Sequence, residues 1–173
     1  MDGSAMEEQG TYLVVDTNVW LDFYAIDREK NQSAKKLLTY AFANGIGILY
    51  PACIIKDVYY IVAGSTKASF RAAKGTLTES DAAAANEFAW SAVNHMRENA
   101  FAVSVGQADI WLAAKYRYLH NDFEDNLVIA VTERTKGATL ITNDAKLIQD
   151  ASVPTMTPEK AYLALSSRHS SSK

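Results

Sequence analysis

The sequence predicts an α/β fold in which a parallel sheet lies between helices. Short, wholly apolar runs recur at 12–15, 46–50, 101–105, 138–141 and 153–156, and longer stretches of helical period separate them. Such runs suit strands buried on both faces, and their alternation with helices implies right-handed crossovers within one sheet. A chain of 173 residues that is 49% hydrophobic and 21% charged is sized for one domain whose core needs neither disulfide nor metal. That domain is placed at 11–165. The polar, aperiodic ends at 1–10 and 166–173 are expected to stay disordered.

The elements follow in order. After the first apolar run, Asp16-Thr-Asn opens a helix through Val19, Trp20 and Phe23, and a second helix covers 29–43 until Asn44-Gly45 stops it. Beyond Pro51, the apolar stretch 52–62 reads as a helix, and 67–74 continues with helical spacing. Thr78-Glu-Ser-Asp81 resembles a capping box that begins a long amphipathic helix over 82–98. Further helices are expected at 107–119, at 124–136 before Gly137, at 144–150, and at 158–165 with Pro158 in the first turn.

Charge and cysteine content remove several functions. A formal net charge of −3 gives no basic field for a polyanion, and Cys53 as the sole cysteine excludes an intrachain disulfide or a multi-cysteine metal centre. The acidic start is unlike a secretory signal, and no run is long enough to span a membrane. A soluble, unprocessed cytoplasmic protein is expected. Neither a phosphate-binding Gly-rich loop, a dinucleotide fingerprint nor a nucleophile elbow is present. His95, His120 and His169 lack metal-ligand spacing and read as ordinary solvated histidines.

In open α/β sheets, ligands bind beyond the carboxyl ends of the strands, which directs attention to acids placed there. Asp16 ends the first apolar run and Asp144 follows the fourth; each fits a helix cap as well as a crevice. Asp57 sits in an apolar helical stretch, where a carboxylate is costly to bury unless paired or bound to a cation, and where it could instead face solvent beside Lys56. Asp122 and Asp125, three apart, share a face at a helix start, where a cap and a first-turn acid would serve equally. Two bare carboxylates 4 Å apart repel by on the order of 4 kcal/mol at an effective dielectric of 20. Acids gathered in one crevice therefore need protons or cations, and all-oxygen ligands suit Mg²⁺ or Mn²⁺, which join carboxylates to substrate phosphate.

These residues resemble the PIN-domain nucleases, including the VapC-like toxin ribonucleases, across roughly 12–165. Leu13-Val-Val-Asp-Thr-Asn-Val-Trp-Leu-Asp22 is similar to the family's opening strand and first acid at Asp16. Asp122-Phe-Glu-Asp-Asn-Leu-Val-Ile-Ala130 is similar to its third motif, with Asp125 as the acid and Asp122 accompanying it. Leu140-Ile-Thr-Asn-Asp144 resembles the closing motif. Two positions depart from the pattern: Asp57 stands where Glu is more usual, and Asn126 where a small apolar residue is common.

The resemblance implies a three-layer α/β/α fold around a parallel sheet of about five strands. It implies that Asp16, Asp57, Asp125 and Asp144, with Asp122, hold one or two Mg²⁺ or Mn²⁺ ions, supported by Thr17, Asn18, Thr142 and Asn143. It also implies RNA phosphodiester hydrolysis by a homodimer that a small antitoxin holds inactive. Cations neutralising the aspartates would turn the net charge positive, so acidity does not exclude RNA. Two other readings stay open: a non-catalytic interaction module on the same fold, and a phosphatase using Asp16 as nucleophile.

Lys67, Arg71 and Lys74 recur at helical spacing and could meet RNA phosphates, or simply form a solvated face. Trp20, Trp90 and Trp111, with Tyr59 and Tyr60, are expected to pack in the core or an interface rather than stack on bases. The long helix over 82–97 could serve dimerisation or antitoxin docking.

Overall fold

The computed structural model describes residues 12–170, with side chains through 167. The expected disordered N-terminus, the last residues of the expected tail and the side chain of His169 lie outside the described residues. Five parallel strands, β1 (Tyr12–Val15), β2 (Gly47–Pro51), β3 (Phe101–Val103), β4 (Ala138–Ile141) and β5 (Thr155–Met156), form one sheet in the order β3-β2-β1-β4-β5. The chain winds outward from β1 to β3 and then restarts on the other side at β4. The order therefore reverses between β1 and β4, the position where open α/β sheets form a ligand crevice. Tyr12 pairs with Gly47 on one side and Ala138 on the other. At Gly47 a Cβ would come within 2.6 Å of the Tyr12 ring, so this pairing needs glycine.

Helices cover both faces of the sheet. They are α1 (Thr17–Tyr24), α2 (Asn31–Ala43), α3 (Ile54–Lys74), α4 (Glu79–Asn99), α5 (Gln107–Lys115), α6 (Phe123–Arg134), α7 (Ala145–Asp150) and α8 (Pro158–Ser170), with a 3₁₀ turn at Tyr116–Tyr118. The apolar strand runs become the centre of the core: Val14, Val15, Leu140 and Ile141 are fully buried and meet Trp20, Leu37, Ile48 and Ile129. Gly137 leads into β4 at φ +76°, a left-handed conformation that side chains disfavour. None of the described helices is long and apolar enough to cross a membrane.

Several elements differ from expectation. The stretches at 52–62 and 67–74 join into the single helix α3, which passes through Gly64 because packing along α4 outweighs the weak helix propensity of one glycine. Helix α8 continues to Ser170, past the expected end at 165. Of the aromatics expected in the core or an interface, Trp20 is core, whereas Trp90, Trp111 and Tyr60 are 52%, 62% and 70% exposed and so are not core. His95 packs among Phe23, Tyr24 and Phe42, and the Tyr24 hydroxyl lies 3.0 Å from its Nδ1. It is a packed histidine, not a solvated one.

The α3–α4 hairpin is closed by the capping box that the sequence suggests. The Thr78 hydroxyl accepts from the Asp81 amide, and the Asp81 carboxylate accepts from the Thr78 amide. Lys74 reaches the same carboxylate at 2.5 Å, so this member of the basic face is committed to the hairpin, while Arg71 stays exposed. Replacing Thr78 with Ala is expected to lower stability by about 0.5–2 kcal/mol, read as a shift in the urea midpoint with an unchanged slope.

Candidate active site

The chain ends of β1 and β4 build the centre of the crevice. Asp16 leaves β1 at the cap position of α1 and is 4% exposed. A capping carboxylate ordinarily binds the second or third amide of its helix. The carboxylate of Asp16 is used otherwise: Oδ1 accepts from the Thr17 amide at 2.6 Å, and Oδ2 accepts from Asn18 Nδ2 at 2.6 Å and the Thr142 hydroxyl at 2.7 Å. Asn18 also accepts from the Asn143 amide at 3.0 Å, locking α1 to the end of β4. Thr17, Asn18 and Thr142 thus surround Asp16 with donors and fix its orientation, and Asn143 holds Asn18 from behind.

Burial drives the Asp16 carboxyl up to about 6, against the opposing pull of the Thr142 hydroxyl and Thr17 amide, with the charges of Asp125 and Glu124 adding to the rise. Glu124 and Asp125 occupy the first turn of α6 and are also raised. For Glu124, desolvation leads, the Thr17 hydroxyl donating at 3.1 Å opposes it, and Asp57, Asp122 and Asp125 push upward. For Asp125, desolvation leads, the hydrogen bond with His120 opposes it, and Asp122 and Asp144 push upward. These mutual repulsions join acids from four parts of the chain in one electrostatic neighbourhood.

The remaining acids divide by environment. Asp122 caps α6, accepting from the Glu124 and Asp125 amides at 2.9 and 3.3 Å. Asp144 caps α7 through Oδ1, which accepts from the Lys146 and Leu147 amides at 2.8 and 2.9 Å, and it still faces Asp125. Asp57 lies in the first turn of α3, held at 2.8 Å by Lys56, with its side chain 29% exposed. It is solvated beside Lys56 and at the same time close enough to Glu124 to raise it. Along α3, Lys67 is ten residues further on, about 15 Å at 1.5 Å per residue, so the basic face is set well apart from Asp57.

Three participants escaped the sequence reading. Glu124 was visible only as the start of a helix, although it directly precedes Asp125. His120 is 5% exposed and bridges Asp125 and Asp150, so it is neither solvated nor isolated. Asp22, 3% exposed, accepts from Arg28 Nε at 2.5 Å and from Asn143 Nδ2 at 2.7 Å. Its charge is already answered by Arg28. Beside the acids, a surface pocket is lined by Asn18, Asp22, Arg28, Glu29, Lys30, Asn143 and Asp144.

Among the described residues, no three acids, histidines or cysteines stand close enough to enclose an ion directly. An ion here would be held by one or two carboxylates with water completing its shell, the usual manner of Mg²⁺. The donor set fits that cation: all-oxygen ligands, clustered negative charge and, among the described residues, no Lys or Arg paired with Asp16, Glu124 or Asp125.

Comparison with known proteins bears on the fold. A family model described as PIN domain matches residues 12–146. Among solved structures, the chain is similar to one in the crystal structure of VapBC2 from Rickettsia felis bound to a DNA fragment from their promoter. The two are 14% identical with a TM-score of 0.59, over 85% of this chain and 98% of that one. At that identity the likeness concerns the fold. No curated protein sequence matches the chain.

Proposed function

The chain belongs to the PIN-domain family, and from that premise we propose that it is a divalent-metal-dependent endoribonuclease, the toxin of a two-component toxin–antitoxin pair. The observation that carries the reading is the buried Asp16, raised toward neutrality beside Glu124 and Asp125 at the point where the strand order reverses. One or two of Asp16, Asp125 and Asp144 would hold Mg²⁺ or Mn²⁺ directly, water completing the shell, with Asp57 and Glu124 on the rim and Asp122 keeping α6 in place. When bound, such an ion lowers the pKa of water and neutralises charge developing at phosphorus.

The chain's own residues do the rest. Thr17, Asn18 and Thr142 pin Asp16, so its orientation is set before substrate arrives and little reorganisation is required during reaction. Asn143 extends the frame through Asp22 to Arg28, which lines the pocket beside the acids. A phosphodiester entering that pocket would meet a guanidinium on one side and the carboxylates on the other.

Partners enter the reading through the surface. Tyr60, Ile61, Phe88 and Trp90 are exposed apolar side chains on the α3–α4 hairpin, a surface suited to an antitoxin or a second copy of the chain. The VapBC2 assembly supports pairing with an antitoxin by analogy of fold.

Incubation of the purified protein with end-labelled single-stranded RNA tests the proposal. Internal cleavage is expected with Mn²⁺ or Mg²⁺ and none with excess chelator. Cleavage that persists in chelator overturns the metal-dependent reading. Absence of both cleavage and Mn²⁺ binding favours the alternative of an inert interaction module, to which the short, Lys56-paired Asp57 also points.

A further inference from the structure

His120 lies just before α6, outside the motifs that carry the family resemblance, yet its side chain is 5% exposed. Nε2 is 2.6 Å from Asp125 Oδ2, and Nδ1 is 3.3 Å from Asp150 Oδ2. The ring is thereby held at both ends. Its backbone is held too, since the His120 amide donates to the Tyr116 carbonyl at 3.0 Å and Asn126 Nδ2 donates to the His120 carbonyl at 2.8 Å.

Asn126 gives a second, independent indication. It is 2% exposed, and its Oδ1 finds no partner, so a polar side chain is kept in the core for the bond it makes to His120. An unpartnered buried polar atom costs about 1–3 kcal/mol, more than a neutral hydrogen bond ordinarily returns. An apolar residue at this position would be the more stabilising choice if holding His120 had no further purpose.

The elements joined by the ring matter most. Asp125 belongs to the first turn of α6, whereas Asp150 ends α7, the helix that Asp144 opens. One side chain therefore links two helices that each bring an acid to the crevice. It occupies Oδ2 of Asp125 and leaves Oδ1 with no hydrogen-bond donor among the described residues.

We propose that His120 is a positioning residue: by gripping Asp125 and, through Asp150, the helix that carries Asp144, it sets which Asp125 oxygen meets a divalent cation and how far the two acids stand apart. The inference rests on the metal-dependent reading above. Groups that orient metal ligands in this way typically change metal affinity or activity by about 10–100-fold when removed. A histidine that is merely well packed would change stability and leave the affinity of the folded protein alone.

The test is Mn²⁺ titration by calorimetry without RNA, on wild type, His120→Ala, His120→Gln and Asp150→Ala, each checked for folding by circular dichroism. With Mn²⁺ saturating, RNA cleavage then gives kcat and KM. His120→Ala is expected to bind Mn²⁺ about 10–100-fold more weakly, with kcat reduced and KM for RNA little changed. His120→Gln, whose amide can still donate to Asp125, is expected to recover most of the affinity. Asp150→Ala should lose affinity in the same direction.

Wild-type affinity in folded His120→Ala overturns the positioning role and leaves the metal-dependent reading standing, whereas a wild type that binds no Mn²⁺ overturns both. Should His120→Ala fail to fold, Asp150→Ala decides the matter: weakened binding supports the role, and unchanged binding overturns it.

Discussion

RNA cleavage by Asp16→Asn is expected to fall by about 10²–10³-fold in kcat, the scale of removing one preorganised charge-stabilising group, while the fold is retained. The substitution keeps the shape and removes the charge. Asn would meet the same three donors, the Thr17 amide, Asn18 Nδ2 and the Thr142 hydroxyl, but its own amide nitrogen would have to face one of them. The position would thus lose both its attraction for a cation and part of the frame that orients it. Because the loss falls on a group that supports the transition state rather than RNA binding, kcat should drop with KM for RNA nearly unchanged. Single-turnover cleavage of labelled RNA at saturating Mn²⁺ measures this. A folded variant that still cuts at the wild-type rate would place the reacting centre somewhere other than the crevice between β1 and β4.

Asp16 was legible in the sequence because its signal is local. An apolar run ending in Asp-Thr-Asn announces a strand end and a helix start, and the parallel sheet places that junction at the crevice. Asp144 stands out for the same reason, and Asp125 through its spacing from Asp122 at a helix start and its place in the motif that resembles the family's third. His120, Asp150 and Asp22 were hidden because their partners are set by the packing of helices, not by spacing along the chain: the bond from His120 to Asp150 spans 30 positions and that from Asn143 to Asp22 spans 121.

The exposed aromatics were undecided for a different reason. Helical period identifies an apolar face but not whether the protein itself covers it, so for Trp90 and Tyr60 on the α3–α4 hairpin the choice between core and interface waited on the packing, which leaves both exposed. The Asn126 departure, by contrast, acquires a physical meaning only with the structure, since its amide holds the carbonyl of the residue that grips Asp125.

Without metal, the protein is expected to lose stability as pH rises from about 4 to about 6, and to regain it when Mn²⁺ is added. The Asp16 carboxyl moves from 3.8 to about 6 on folding, so between those values the folded state binds more protons than the unfolded chain, and stability must fall as they are released. At 1.36 kcal/mol per pH unit, a rise of roughly two units amounts to about 3 kcal/mol for this buried group. Glu124 and Asp125 are shifted in the same direction and add to the decline. Two acids oppose it at lower pH. Asp81 is held down by Lys74 and Thr78, and Asp109, despite its burial, by Arg134 and the Gly106 amide. Their stabilisation is present above the ordinary Asp range and disappears as pH falls below it. His95, held below its ordinary range by burial, opposes the decline only as pH approaches that range, so metal-free stability should peak at about pH 4 instead of at neutrality. A cation that binds only the folded state adds about 2.7 kcal/mol at a hundred times its Kd, enough to offset most of the Asp16 deficit at pH 7. Urea unfolding at pH 4.5 and 7, in chelator and in Mn²⁺, reads both effects, and Asp16→Asn should flatten the metal-free pH slope. Metal-free wild type that grows steadily more stable toward pH 7, or a variant with an unaltered slope, would show that Asp16 carries no unmet charge for a cation to answer.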